Sequence, residues 1–77
     1  MKVIIVSPER TLFSGEAQSV TLPGTKGQFE VLDHHAPIIS SLRGGQVIVN
    51  AQQVKTFNIM GGFIDVANNE VTICVDA

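Results

Sequence analysis

Residues 29–40 read FEVLDHHAPIIS, and within them Asp33, His34 and His35 stand side by side ahead of Pro37. Carboxylate and imidazole groups ligate metals and carry protons, so this run raises the question of metal or acid–base chemistry. Spacing argues against it. Successive residues of an extended chain point to opposite faces, so His34 and His35 do not readily grip one ion together. A structural zinc site wants four ligands, and a catalytic one wants three plus water. The single cysteine, Cys74, is distant, and no HExxH or CxxC spacing is present. A metal site built across strands, in a minimal metal-dependent enzyme, is the sharp reading. The bland one is a turn, in which Asp33 bonds its own backbone and Pro37 keeps Ala36 extended. The turn is favoured, and no metal or cofactor is expected.

Nucleophilic catalysis has less support. Ser7, Ser14, Ser19, Ser40 and Ser41 are available, but no GxSxG elbow presents any of them. A chain of 77 residues also leaves little room for a substrate pocket beside its core. Glu30 and Asp33 fall in or beside an exposed turn and give no paired-carboxylate arrangement. GTKG lacks the rest of a P-loop, and MGGF lacks the dinucleotide-binding glycine pattern and its helix. The sequence does not read as an enzyme.

The elements that would carry these residues are short strands. No window repeats apolar residues at helical spacing, whereas runs of Val, Ile, Phe and Thr alternate with Gly, Pro and Asn. Strands are expected near 2–6, 11–15, 16–22, 28–32, 36–42, 45–50, 54–60, 63–67 and 70–76. Turns are expected at Pro8–Arg10, at LPGTKG with Gly24 and Gly27, at LDHHA before Pro37, and at RGG, NAQQ and ANNE. The pair Gly61–Gly62 reads as a tight corner between two apolar strands. In the last strand Val71, Ile73 and Val75 share the face expected to point inward, with Thr72, Cys74 and Asp76 on the other. This pattern predicts one all-β domain over residues 1–77: a small sandwich or flattened barrel of about 8–10 mostly antiparallel strands.

Composition sets the limits. A domain this small buries only about 60% of its unfolded surface, so its stability margin is thin. Hydrophobic residues make up 44% of the chain, and with four Phe, no Trp and no Tyr the core must be largely aliphatic. One cysteine excludes an internal disulfide and points to a reducing compartment. The formal charge is −2, and Lys2, Arg10, Lys26, Arg43 and Lys55 are spread along the chain. Nucleic-acid binding needs a clustered basic face, so that class ranks low. No apolar run reaches the roughly 18 residues that span a bilayer. The expectation is a soluble, cytoplasmic chain that reaches a membrane complex only through a partner.

In order along the chain come SPERTLFSGEA, VTLPGTKGQFEVLDHHAPIISSLRGGQV and FNIMGGFIDVANNEVTICVDA. This succession resembles the N-terminal β-sandwich domain of the epsilon subunit of rotary F-type ATP synthases. The family pattern has a Pro, then Phe-x-Gly-x-Ala, a Leu-Pro-Gly turn, and a Gly-Glu or similar before an aromatic. Gly-His-Ala-Pro, a Ser-Gly-Gly-Phe strand pair and a closing Asn-x-Val-Thr follow. Each piece alone is weak; together, in order and across nearly the whole chain, they are specific. The chain departs from the pattern at Asp33–His34, where Pro-Gly is common, at Glu30, where Gly is common, and at Met60, where Ser is usual. Family members generally continue into two helices that restrain rotation. This chain stops at Ala77, where that hairpin would begin, so a short form and a fragment both stay open.

The resemblance implies a non-catalytic rotor subunit of the central stalk. It would hold the gamma subunit against the membrane ring of c subunits, coupling proton or sodium transport to ATP synthesis in other subunits. The implied place is peripheral, on the cytoplasmic face of the bacterial inner membrane. It also implies c-ring contacts through the 28–35 turn, with Gln28, Glu30, Asp33, His34 and His35, and gamma contacts near Ser7 and Ser40. A generic β-sandwich adaptor for protein partners is the alternative.

Overall fold

A computed structural model describes residues 1–76. Nine strands follow one another among them: β1 Lys2–Val6, β2 Thr11–Glu16, β3 Ser19–Gly24, β4 Gly27–Leu32, β5 Ile38–Leu42, β6 Gly45–Asn50, β7 Val54–Ile59, β8 Gly61–Ala67 and β9 Glu70–Asp76. No helix occurs among the described residues. The fold is all-β, as the alternating Val and Ile runs predict, and every strand pair is antiparallel except β1 with β9.

The strands form two layers. One runs β2-β1-β9-β8-β5 and the other β4-β3-β6-β7, joined where Gly24 of β3 pairs with Leu42 of β5. Strand alternation turns one row of each layer inward. Val3, Ile5, Ile64 and Ile73 from the first layer meet Val20, Leu22, Val31 and Val49 from the second, all fully buried. Each such side chain contributes about 1.5–3 kcal/mol relative to exposure, so the branched aliphatic runs are what hold the layers together. Val47 and Val49 are buried and Ile48 is half-buried, matching the weaker alternation of that segment.

Several boundaries differ from the sequence expectation: the strand expected over 16–22 is Ser19–Gly24, with Glu16 closing β2, and the one expected over 36–42 starts at Ile38, after Pro37. The LPGTKG turn is only Thr25–Lys26, because Pro23 and Gly24 stay in β3 and pair with Gln28 and Gly27 of β4. Pro23 is tolerated there because its carbonyl accepts a bond from the Arg43 N–H at 2.9 Å. Its nitrogen faces the same side, away from β4, so no ladder bond is lost. Gly24 admits the close turn: a Cβ on it would lie 2.7 Å from the Gly27 carbonyl oxygen and 2.8 Å from the Phe29 ring. Gly27 itself has φ 129°.

The expected corner at Gly61–Gly62 is the start of β8 instead, where these residues pair with Asp76 and Val75. Met60 alone makes the crossing between layers, with its N–H bonded to the Asp76 carbonyl at 2.6 Å. Gly62 has φ 152°, and a Cβ built on it would overlap the Cys74 carbonyl. A side chain would push β8 off β9 at that point. Gly61 has no such constraint.

Candidate functional site

Each group singled out above can be traced to its strand. Gln28 and Glu30 occupy alternate positions of β4 and both are exposed, as is Leu32 in the same row. Among the described residues β4 pairs only with β3, so it is an edge strand with an open row of backbone groups. Asp33, His34 and His35 follow in a turn closed by the His35 N–H on the Leu32 carbonyl at 3.2 Å. His34 adopts φ 62°, a left-handed conformation found at turns.

The segment from 28 to 35 is therefore not one turn, a correction to the sequence expectation. Gln28 and Asp33 sit at opposite ends of β4, about 17 Å apart at 3.3–3.4 Å per residue. Hydrophobic alternation carried by Phe29 and Val31 keeps this stretch extended, so only its last three residues are free to bend.

Two contacts tie the turn to distant segments of the chain. The Met1 α-ammonium donates to Asp33 Oδ1 at 2.6 Å and to the Ala17 carbonyl at 3.1 Å. The His34 N–H donates to Asn69 Oδ1 at 2.8 Å. Asn69 is held in place because Asn68 and Asn69, at φ 53° and 58°, form the two-residue loop between paired Ala67 and Glu70. The hydrogen bond from the ammonium holds the Asp33 carboxyl below its ordinary value of 3.8, against the opposing effect of burial. The same bond raises the Met1 amine above its ordinary 8.0. Asp33 therefore bonds the nitrogen of Met1, 32 residues away, and not its own backbone as the turn reading expects.

The histidines face different groups. His35 Nδ1 lies 2.7 Å from the Ala36 carbonyl, while the His34 backbone serves Asn69. Among the described residues no three His, Cys, Asp or Glu side chains gather into a set able to hold a metal ion. Pro37 is exposed and leads into β5.

Ser7 and Ser40 do not converge. Ser7 follows β1 and closes a local turn with Arg10, its N–H on the Arg10 carbonyl at 2.8 Å. Ser40 lies in β5 opposite Ile64. Three strand steps separate β1 from β5, roughly 14 Å at the usual spacing. Ser7 shares its end of the sandwich with Gln28, and the Asp33–His35 turn occupies the other end with Met1 and Asn69.

The outer face carries a feature not expected from the sequence. Val6, Cys74 and Phe63 line up across β1, β9 and β8, and Phe63 is 64% exposed. They border a hollow of about 340 Å³ with Ser7, Pro8, Val75 and Asp76. The signal was present in FIDVA: if Ile64 and Val66 point inward, Phe63 must point out.

Comparison with known proteins agrees with this geometry. The family model described as the β-sandwich domain of the ATP synthase delta/epsilon chain matches residues 1–77. The ATP synthase epsilon chain of Caulobacter vibrioides is 47% identical over 73 residues, covering 94% of this chain and 85% of that one. The ATP synthase epsilon chain of Synechococcus elongatus is 41% identical over 78 residues. That of Leptospira interrogans is 35% identical over 77. This chain spans only 57% and 61% of the lengths of those two relatives. Among solved structures, a chain of the Euglena gracilis mitochondrial ATP synthase, determined with OSCP, F1 and c-ring, superposes with a TM-score of 0.90 at 20% identity. The match covers 97% of this chain and 49% of that chain. A chain from the Tetrahymena thermophila mitochondrial ATP synthase central stalk and c-ring gives a TM-score of 0.81 at 18% identity, covering 99% of this chain and 63% of that one. At those identities the likeness concerns the fold.

Proposed function

This chain belongs to the ATP synthase delta/epsilon chain β-sandwich family, and from that premise we propose that it is a non-catalytic rotor component of the central stalk. It links the gamma subunit to the c ring and so couples proton or sodium transport to ATP synthesis in other subunits. The observation that carries this reading is the family match over residues 1–77, together with a relative named ATP synthase epsilon chain that is 47% identical and 85% covered. Its place is peripheral to the membrane, at the cytoplasmic face of a bacterial inner membrane, held by its partners.

The geometry supports a joint with separated contact surfaces. The exposed β4 row of Gln28, Glu30 and Leu32, with Asp33, His34 and His35 beyond it, is presented to the c ring. Ser7 and the outer-face row of Val6, Cys74 and Phe63, which Ser41 continues onto β5, face gamma, and Ser40, on the inward side of β5 opposite Ile64, contributes from beneath that row. Open edge strands and exposed apolar rows of this kind are surfaces that partners cover.

Single cysteines at Gln28, His35, Ser7 and Ser40, in a Cys74→Ser background, test the assignment inside the assembled complex. Cross-links from Gln28 and His35 to c-subunit loops, and from Ser7 and Ser40 to gamma, are expected. Because Gln28 and His35 lie at opposite ends of β4, each is read separately. A ring cross-link from one and a gamma cross-link from the other would mean that β4 spans the joint and does not face one partner.

A further inference from the structure

We propose that β4 takes its partner by strand addition: an extended segment of the c ring pairs backbone to backbone with Gln28–Leu32 and sets a cationic side chain opposite Glu30. The pairing rests on the rotor function proposed above and gives that contact its chemistry.

The parity of the β3–β4 ladder decides which backbone groups are open. Gly24 and Gly27 pair across the two-residue turn at Thr25–Lys26. Next to them, Pro23 turns its carbonyl to the Arg43 N–H at 2.9 Å, away from β4. Gln28, opposite Pro23, likewise turns its N–H and C=O away from the ladder. The alternation repeats along the strand. Phe29 and Val31 bond into β3, facing Leu22 and Val20, whereas Glu30 and Leu32 face outward. The Leu32 carbonyl accepts the His35 N–H at 3.2 Å, which ends the open row at the turn. What stays open, among the described residues, is the N–H and C=O of Gln28 and of Glu30 and the N–H of Leu32.

The other terminal strands are blunted. β2 has a bulge at Leu12, which is skipped between the pairings of Phe13 and Thr11. β7 carries Lys55, and β5 follows Pro37 and is held at its far end by Gly24. Bulges, lysines and prolines are how sheet edges avoid unwanted pairing. β4 has none of them and keeps its register unbroken over six residues. Its one charge, Glu30, is exposed and has no ion-pair partner among the described residues. That carboxylate selects the occupant. Pairing β4 with β4 of a second copy over the whole open row would set Glu30 opposite Glu30, and like charges directly opposite are destabilising. A segment with Lys or Arg at that register is favoured instead, and Leu32, 54% exposed, offers it an apolar contact at the end of the row.

Hydrogen exchange, read residue by residue, tests the pairing in the chain alone, with gamma, and with gamma and the c ring together. In the chain alone the Gln28 and Glu30 amides should exchange fast beside protected Phe29 and Val31. Adding the ring should slow both by about tenfold or more. Gln28→Pro removes an outward N–H and no ladder bond, so it should bind the ring assembly about tenfold more weakly than Gln28→Ala, which keeps that N–H. Glu30→Gln keeps the backbone groups and should weaken binding at low salt. Binding that leaves the Gln28 and Glu30 amides fast overturns the strand pairing, as does equal binding by the Pro and Ala variants. Slowing by gamma alone, or by self-association of the chain, overturns the choice of occupant, and undiminished binding of Glu30→Gln at low salt overturns the cation. Should Gln28→Pro fail to fold, the exchange rates of the unaltered chain decide. These failures leave the rotor reading standing; a chain that joins neither gamma nor the ring refutes that reading and the pairing with it.

Discussion

The rings of Phe13 and Phe57 meet edge to face, with centroids 6.3 Å apart and planes at 67°. They come from β2 and β7, the terminal strands of the two layers, and both pack against the core. This contact closes the sandwich on the side where no backbone ladder joins the layers. Phe57→Ala should cost about 2–3 kcal/mol, less than the roughly 3–5 kcal/mol of a fully buried ring, because the side chain is half-buried. Urea unfolding of both single variants and the double variant should give a coupling of about 0.5–1.5 kcal/mol. Strict additivity would show that the rings only share a neighbourhood.

Gly61 and Gly62 are adjacent, yet they should respond differently to substitution. At Gly62 the positive φ alone costs a side chain about 1–3 kcal/mol, and the overlap with the Cys74 carbonyl adds to it. For a domain of this size that is a large share of a margin of about 4–11 kcal/mol. Gly61→Ala meets nothing nearer than the Leu42 carbonyl oxygen at 3.5 Å and should stay within about 0.5–1 kcal/mol of the parent. Denaturant midpoints of the two alanine variants provide the check, and equal losses would contradict the assignment.

The Met1–Asp33 pair makes stability depend on pH at both extremes. Asp33 is depressed, chiefly by the hydrogen bond from the ammonium, so its contribution is present above 3.8 and disappears as pH falls through the lowered value. The Met1 amine is raised, chiefly by the bond to Asp33, so its contribution is complete below 8.0 and is lost as pH rises through the raised value. Melting temperatures of wild type and Asp33→Asn should therefore differ by a constant amount between about pH 4 and 8 and converge on either side. A difference that persists unchanged at about pH 10 would refute the pairing.

Glu30 is exposed and has no ion-pair partner among the described residues, whereas Asp33 is engaged with Met1. Charge reversal at Asp33 would confound docking with the loss of that bracket, so Glu30→Lys is the cleaner probe. It should weaken assembly with the proposed c ring more at low salt than at high salt, since exposed pairs are worth about 0–1 kcal/mol and are screened. Equal loss at both salt concentrations would place Glu30 outside the electrostatic contact.

Much of the fold was legible because a β-strand's period of two is written directly in its side chains. EVTICVD and KVIIV state their own faces, and Asn68–Asn69 states its own loop. Harder to read were places where a local signal means different things in different tertiary settings. Pro23–Gly24 reads as a turn until Gln28 and Gly27 are seen to pair with it, and Gly61–Gly62 reads as a corner until β9 is laid alongside. The partner of Asp33 was beyond reach, because nothing local connects a carboxylate at position 33 with the nitrogen of residue 1. The separation of Ser7 from Ser40 needed the strand order, whereas that of Gln28 from His35 follows from the strand expected over 28–32 itself.

The central claim is that this chain joins gamma to the c ring, and affinity purification from its own cells tests that most directly. With the chain tagged, gamma and the c ring should copurify in stoichiometric amounts, and deleting the chain should uncouple ATP synthesis from ion transport. Recovery of the tagged chain without either subunit, while the synthase remains intact and coupled in its absence, would contradict the account.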